Sequence, residues 1–472
     1  MNPHSLPRSA GQAALLLAAV LAPALHAQAP NAPDALAARI DSVARGVLAA
    51  TGVPSASVAV VRDGRLAYAQ AYGNARLDSA RAATPEMRYA FGSISKQFTA
   101  AALLLLQEDG VLSLDDPVEK WVPGLTRGRD ITLRMLLSHT AGYQDYWPQD
   151  YVPPYMVHPT APASIVARWG RQPLDFDPGT QWQYSNTNFV IAALAVEQAA
   201  RMPFFQFVQE RIFQKLGMTT ATDFDARGAG VIDTYGYIRY ALGPLRPALP
   251  TGTGWLFGTG GLAMTASDLA KWDVAMLHQA LLSPASWRQM QTEARLRGDD
   301  STHTHYGLGV TVGTLGGHRY VEHAGEVAGF MAENVVLPDD GAAVVVLTNQ
   351  DAAPAANAIA KGIVAALFGA PPAVDSTAQA RRIFEGLRKG TIDRSLFSAN
   401  GNVYFNEPAL RDFAASLGPL GTVQSFEQTS TYLRGGMTVR NYRVAMSCGP
   451  VLHAWTLETS DHKLEQFHVS LQ

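Results

Sequence analysis

Two side chains three residues apart, Ser93 and Lys96, open the apolar run Phe91-Gly92-Ser93-Ile94-Ser95-Lys96-Gln97-Phe98-Thr99-Ala100-Ala101-Ala102-Leu103. On a helix, positions i and i+3 share a face about one turn apart, so the Lys96 amine reaches the Ser93 hydroxyl. A serine hydroxyl attacks at neutral pH only when a neighbouring base takes its proton, and a lysine walled in by apolar groups loses enough basicity to serve. A helix N-terminus adds backbone N–H groups and the positive end of the dipole, both suited to developing negative charge. Spacing alone does not decide the matter. Taken by itself the pair reads more readily as a helix cap followed by a solvent-facing lysine, and Ser460-Asp461-His462-Lys463 repeats the spacing in a polar turn.

Two further clusters follow in chain order. Tyr184-Ser185-Asn186 comes after Pro178-Gly179-Thr180, 91 residues beyond Ser93, in a turn before a helical stretch. His323-Ala324-Gly325-Glu326 ends a strand-like run a further 139 residues on and precedes Gly329-Phe330. In isolation Tyr184 reads equally as a core tyrosine, Asn186 as a helix cap and His323 as an ordinary strand residue. Tyr404-Phe405-Asn406 and His305-Tyr306-Gly307 match the same short patterns, but the first lies in the tail and the second opens the strand before the one carrying His323. Order and context select Tyr184 and His323. The chain has no Gly-x-Ser-x-Gly elbow and no His-Glu-x-x-His zinc pattern.

The elements that must position these residues are legible in the periodicity. Asp34 to Ala50 has helical spacing, and Val53 to Gly73 reads as two strands joined at Asp63-Gly64. Ser93 to Glu108, Ile131 to His139, Asn188 to Ala200 and Phe204 to Leu216 read as helices, and a helix after Met264 is capped by Thr265 or Ser267. Between Tyr143 and Tyr155 a loop crowded with aromatics and prolines serves either as a cleft wall or as the anchor of a long connection. Tyr306 to Val312, His318 to His323, Met331 to Leu337 and Ala342 to Thr348 are strand-like, followed by a helix from Ala355 to Leu367. Strands at both ends with helices between predict an α+β fold: one antiparallel sheet formed by both ends and a mainly helical insertion. Pro371-Pro372 marks a boundary. Beyond it, Gln379 to Leu387 reads as a helix and Met437 to Ser447, Val451 to Thr459 and Leu464 to Val469 as strands, predicting a small α+β accessory domain over 376–472.

Residues 1–27 read as a secretory signal peptide, with the apolar run Ala13 to Ala22 and cleavage after Ala27, implying a periplasmic or secreted protein. That run is too short to span a membrane, and no later stretch offers about 20 apolar residues. A hydrophobic fraction of 47% with 16% charged residues describes a globular protein with a real core, and a formal net charge of −3 gives no case for nucleic acid or an anionic membrane. The single cysteine, Cys448, excludes an internal disulfide and reads as a structural thiol.

Taken together, Ser93-x-x-Lys96, Tyr184-Ser185-Asn186 and His323-Ala324-Gly325 resemble the serine β-lactamase and penicillin-recognising superfamily. The chain is most similar to the class C-like branch, which holds class C β-lactamases, D-Ala-D-Ala carboxypeptidases, D-aminopeptidases and family VIII esterases. The similarity covers about Leu36 to Gly369, including the connecting stretch Leu136-Leu137-Ser138-His139-Thr140-Ala141-Gly142, in which His139 is taken as structural. It implies a β-lactamase-like hydrolase domain over 31–369 and no cofactor. It implies that Ser93 forms an acyl-enzyme, that Lys96 and Tyr184 share the proton work, and that Lys96 and His323 favour a Tyr184 phenolate. It further implies an oxyanion hole from the N–H groups of Ser93 and Glu326, and that Asn186 holds the substrate. Relatives carry hydroxyl residues in the third cluster to hold a substrate carboxylate. Here Ala324 and the acidic Glu326 argue against carboxylate-bearing substrates, and Gly325 completes the cluster. The expectation is an exported hydrolase of esters or small amides acting on a small-molecule or peptide substrate. D-Ala-D-Ala peptide or β-lactam hydrolysis is the second reading, and a catalytically silent binding protein of this fold is a third.

Overall fold

A computed structural model describes residues 32–149, 152–239, 244–298, 303–315, 317–368, 376–434, 437–459 and 463–471. The expected signal peptide, the Pro371-Pro372 boundary and Ser460 of the second Ser–Lys spacing lie outside these residues. Helix α1 (Ala32–Thr51) leads into the hairpin β1 (Ser55–Arg62) and β2 (Arg65–Arg76). Asp63 and Gly64 have φ of 52° and 69°, the positive pair that a two-residue hairpin turn needs to match strand twist. Helices α2 (Lys96–Glu108), α3 (Asn186–Ala200) and α4 (Ala266–Leu277) belong to the insertion. Strands β3 (Thr311–Leu315), β4 (His318–Val327), β5 (Phe330–Leu337) and β6 (Ala342–Thr348) then close the sheet, and α5 (Ala355–Phe368) follows.

The sheet is antiparallel throughout, in the order Arg81–Ala82, β2, β1, β6, β5, β4, β3. Strand β1 therefore pairs with β6, with Val58 opposite Val346 and Val60 opposite Val344. Both strands lack alternation because both faces are covered. Val58 and Val60 pack with Ile40 of α1 and Ile359 and Ile363 of α5, while Ala59 and Val61 join Phe98 of α2 and Trp272 of α4.

At one end of the sheet the ladder stops short. Strand β3 accompanies β4 only as far as Glu322, opposite Thr311. Beyond that point the 3-10 turn Gly92–Ser95 packs against β4 instead of a strand. The contact is backbone against backbone: a Cβ on Gly325 would sit 1.9 Å from the Phe91 carbonyl, and one on Gly92 would sit 2.5 Å from the Glu326 carbonyl. Glycine is required at both places, and Gly92 in addition has φ of 55°.

Several expected boundaries move for identifiable reasons. Ser93 lies not in the α-helix but in the 3-10 turn before it, because the positive φ of Gly92 delays the α-helix to Lys96. The strand expected from Tyr306 begins only at Thr311: Gly309 has φ of 71° and a Cβ there would meet the Lys96 carbonyl at 2.8 Å, so this stretch packs on α2. Of Ile131 to His139 only Leu133–Leu137 is helical, capped by Thr132, and His139 leaves it with φ of 59°. The cap of α4 is Thr265, which accepts from the Asp268 N–H.

After residue 375 come α6 (Ser376–Leu387), α7 (Glu407–Leu417) and a sequentially ordered antiparallel sheet. Its strands are β7 (Val423–Arg434), β8 (Met437–Met446), β9 (Leu452–Glu458) and β10 (Leu464–Leu471). Strand β9 alternates buried and half-buried residues, so one sheet face meets a core of its own that includes Phe384, Phe405, Tyr442 and Phe467. Among the described residues no helix is long and apolar enough to cross a membrane.

Candidate active site

The 3-10 turn leaves Ser93 half-buried at the floor of a cavity of about 980 Å³, and Lys96, at the start of α2, is wholly buried beside it. Lys96 Nζ lies 2.9 Å from Ser93 Oγ. It also donates to Asn186 Oδ1 at 2.9 Å and to the Thr259 carbonyl at 3.0 Å. These two acceptors take two N–H groups of a neutral amine and aim its remaining lone pair at the serine hydroxyl. Burial lowers Lys96 to about 7, against the upward pull of Asp145. The amine is thus a usable base near neutral pH.

Tyr184 approaches Ser93 from the other side and donates its hydroxyl to Ser93 Oγ at 2.8 Å. Burial pushes the phenol well above its ordinary value, and the Ser93 hydrogen bond only partly offsets this. The expected phenolate is therefore corrected to a neutral phenol. His323 does not supply the positive charge that expectation needed. Its Nδ1–H donates to the Ala324 carbonyl and its Nε2 accepts from the Tyr306 hydroxyl at 2.8 Å. Burial, with the Lys96 charge adding to it, lowers the imidazole to about 3, so it stays neutral. His323 packs near Tyr184, ring centroids 6.4 Å apart, and both its nitrogens are engaged elsewhere.

The third cluster is held by the open end of β4, where alternation turns His323 and Gly325 to the Ser93 side. Glu326 lines the cavity and its carboxylate accepts from the Ala352 N–H at 3.1 Å. Ala324 is exposed and Gly325 is buried against Phe91; neither is among the residues lining the cavity, which revises their expected place in substrate binding. The backbone N of Glu326 lies beside Gly92, where a Cβ would come within 2.6 Å of it. Asn186 opens α3, and its side chain is shared between Lys96 and Asp145. His139 is buried under Tyr184, ring centroids 4.3 Å apart, and its Nδ1 accepts from the Ser185 N–H at 3.2 Å.

Three participants escaped the sequence reading. Thr259 acts through its carbonyl, which leaves no mark on side-chain identity. Tyr306 falls in a short match that order and context reject, yet its hydroxyl holds His323 Nε2. Asp145 sits among the aromatics of the Tyr143 to Tyr155 loop, where the carboxylate between two tyrosines was the available signal. Trp147 of the same loop lines the cavity while Tyr143 and Tyr146 are buried, so the loop both walls and anchors.

An antiparallel sheet with a helical insertion, and a Ser–Lys pair set between the two and faced by a tyrosine, define the fold class of serine β-lactamases and penicillin-binding proteins. The chain belongs to the Beta-lactamase family, whose model matches residues 40–367. It is 28% identical over 334 residues to a penicillin-binding protein of Bacillus subtilis (strain 168), covering 67% of this chain and 72% of that one. It is 29% identical over 301 residues to a D-aminopeptidase of Brucella anthropi, covering 63% of this chain but only 56% of the relative. Among solved structures it resembles a D-stereospecific amidohydrolase from Streptomyces sp., with 29% identity, a TM-score of 0.60 and coverage of 70% and 98% of the two chains. The fold also matches an octameric penicillin-binding protein homologue from Pyrococcus abyssi, with 22% identity, a TM-score of 0.64 and coverage of 92% and 98%.

Proposed function

We propose that the chain is a serine hydrolase of the class C-like branch that cleaves small amides or esters through a Ser93 acyl-enzyme. The observation that carries this reading is the amine of Lys96, tied by Asn186 and Thr259 so that its lone pair meets the Ser93 hydroxyl. In the proposed sequence Lys96 takes the Ser93 proton as Oγ bonds to the substrate carbonyl carbon. The negative oxygen that forms is received by the N–H groups of Ser93 and Glu326. Tyr184 gives its proton to the leaving nitrogen or oxygen as that bond breaks and regains one from the Lys96 ammonium. Water then attacks the acyl carbon and loses its proton to the same pair; the bond from that carbon to Ser93 Oγ breaks, Oγ takes the proton back, and the acid is released.

The cavity supports a neutral or amine-bearing substrate over one rich in carboxylates. Asp145, Glu326 and Asp351 line it against a single cationic side chain among the described residues, Arg239. Trp147, Trp182, Ile238 and Leu249 add apolar walls. The names of the D-aminopeptidase and amidohydrolase relatives agree with an amide. Export to the periplasm or beyond, with cleavage after Ala27, is part of the proposal, and the N-terminal sequence of the mature protein checks it.

The test uses a short-chain 4-nitrophenyl ester and benzylpenicillin, following turnover and intact mass in one sample. Wild type is expected to release nitrophenol and to carry a transient acyl mass that Ser93→Ala lacks. Turnover by Ser93→Ala at the wild-type rate would sink the reading.

A further inference from the structure

Asp145 has no part in the proton steps given above, and its surroundings are specific. Its Oδ1 accepts the Asn186 backbone N–H at 3.0 Å and the Trp147 N–H at 3.1 Å. Its Oδ2 accepts from Asn186 Nδ2 at 3.3 Å. The neighbouring Gln144 carbonyl accepts from Thr187 Oγ1 at 2.6 Å. Ser185, at the N-cap of α3, makes no side-chain cap bond. The first turn of α3 is thus capped from another segment, at the end of the helix that attracts negative charge.

We propose that Asp145 is a positioning residue: it grips Asn186 at backbone and side chain, and Asn186 in turn fixes its amide oxygen on Lys96. This rests on the Ser93–Lys96 reading. With its amide nitrogen on Asp145, Asn186 cannot flip, and only its oxygen faces the amine. Losing that grip frees the Lys96 amine to rotate, so its lone pair no longer has a single direction.

Asp145 acts on Lys96 through charge as well. The titratable groups that influence or are influenced by Lys96 are Asp145, Tyr184, His139 and His323. Burial keeps both imidazoles low and the phenol high, all three in neutral form. Burial raises Asp145 above the ordinary carboxylate range, partly offset by the Trp147 and Asn186 hydrogen bonds and by Lys96; wherever it is ionised, its charge favours the ammonium form of Lys96. Neutralising it moves Lys96 further down.

The experiment compares wild type, Asp145→Asn, Asp145→Glu, Asn186→Ala and the Asp145→Asn/Asn186→Ala double variant on the nitrophenyl ester across pH 5 to 9, with thermal melting as a folding control. Asp145→Asn is expected to lower kcat by roughly 10- to 100-fold with little change in KM, the scale of a misplaced catalytic group. Its acid limb is expected to move to lower pH. Asp145→Glu keeps the charge but displaces the carboxylate, so its limb stays while kcat falls. The double variant is expected to lose no more than Asn186→Ala alone. Losses that multiply, or a folded Asp145→Glu with wild-type kcat, would overturn the inference; the Glu variant also serves if Asp145→Asn does not fold. If Ser93→Ala retained activity in the same assay, the underlying reading would fail instead, which keeps the two outcomes apart.

Discussion

At the scale of single residues, the candidate site denies water to an amine. Lys96 is held near 7 because an ammonium at that depth loses hydration that two carbonyl oxygens only partly replace. In the proposed mechanism the amine must be neutral, so kcat/KM is expected to rise with pH through about 7 and then level. Lys96→Arg is expected to be inactive across the whole range, since a guanidinium does not give up its proton at any pH the fold tolerates. Activity of that variant at pH 8 within tenfold of wild type, a loss of under about 1.4 kcal/mol in barrier, would refute the base role. Ser93 and Lys96 were legible because their spacing is local. The Tyr306–His323 pair and the Asp145–Asn186 pair were not, because nothing in the spacing of those residues shows that the fold brings them together. The protonation of Tyr184 is hard to read from sequence for a related reason: depth of burial outweighs the Ser93 hydrogen bond in setting it.

At the scale of elements, the joint between the 3-10 turn and β4 decides how close Ser93, the proposed nucleophile, stands to the Glu326 N–H. Gly325→Ala is expected to push β4 from Phe91, since the added carbon has no room against a main-chain oxygen. In the proposed mechanism the Glu326 N–H is an oxyanion donor; loss of one such donor costs about 100- to 1,000-fold in kcat, and a loss of that order is expected here with a modest change in melting temperature. An unchanged kcat in folded protein would show that the joint does not set the geometry. The sequence showed a glycine at each place but not what met it. Periodicity located the helices and strands, and it misplaced their ends wherever a positive φ intervened, at Gly92, His139 and Gly309. Such angles follow from tertiary packing, which local propensity does not register.

At the scale of the molecule, a buried polar chain ties α4, β5 and α2 together beneath the site. Both Asp273 oxygens lie 2.9 Å from Asn334 Nδ2, Asn334 Oδ1 accepts from Gln97 at 2.9 Å, and Gln97 Oε1 accepts from Trp272 Nε1 at 2.8 Å. Burial raises Asp273 from 3.8 to about 8. The folded state therefore binds a proton that the unfolded state releases, and this group's contribution to stability falls as pH rises from about 4 to about 8 before levelling. Asp273→Asn is expected to be more stable than wild type near pH 8, the gap narrowing toward pH 5 by at most about 1.4 kcal/mol per pH unit. Denaturant melts at several pH values measure this, and a gap independent of pH would contradict it. The pairing of β1 with β6 bears on something else, the order in which the chain can assemble. A growing chain makes β1 within its first 62 residues but does not complete its partner until residue 348. Until then the centre of the sheet is an open edge of unpaired valines, and the insertion has no finished floor on which to set Ser93. Synthesis must therefore run to about residue 348 before the sheet that backs the site is complete, which predicts slow, late consolidation of the site against its sheet.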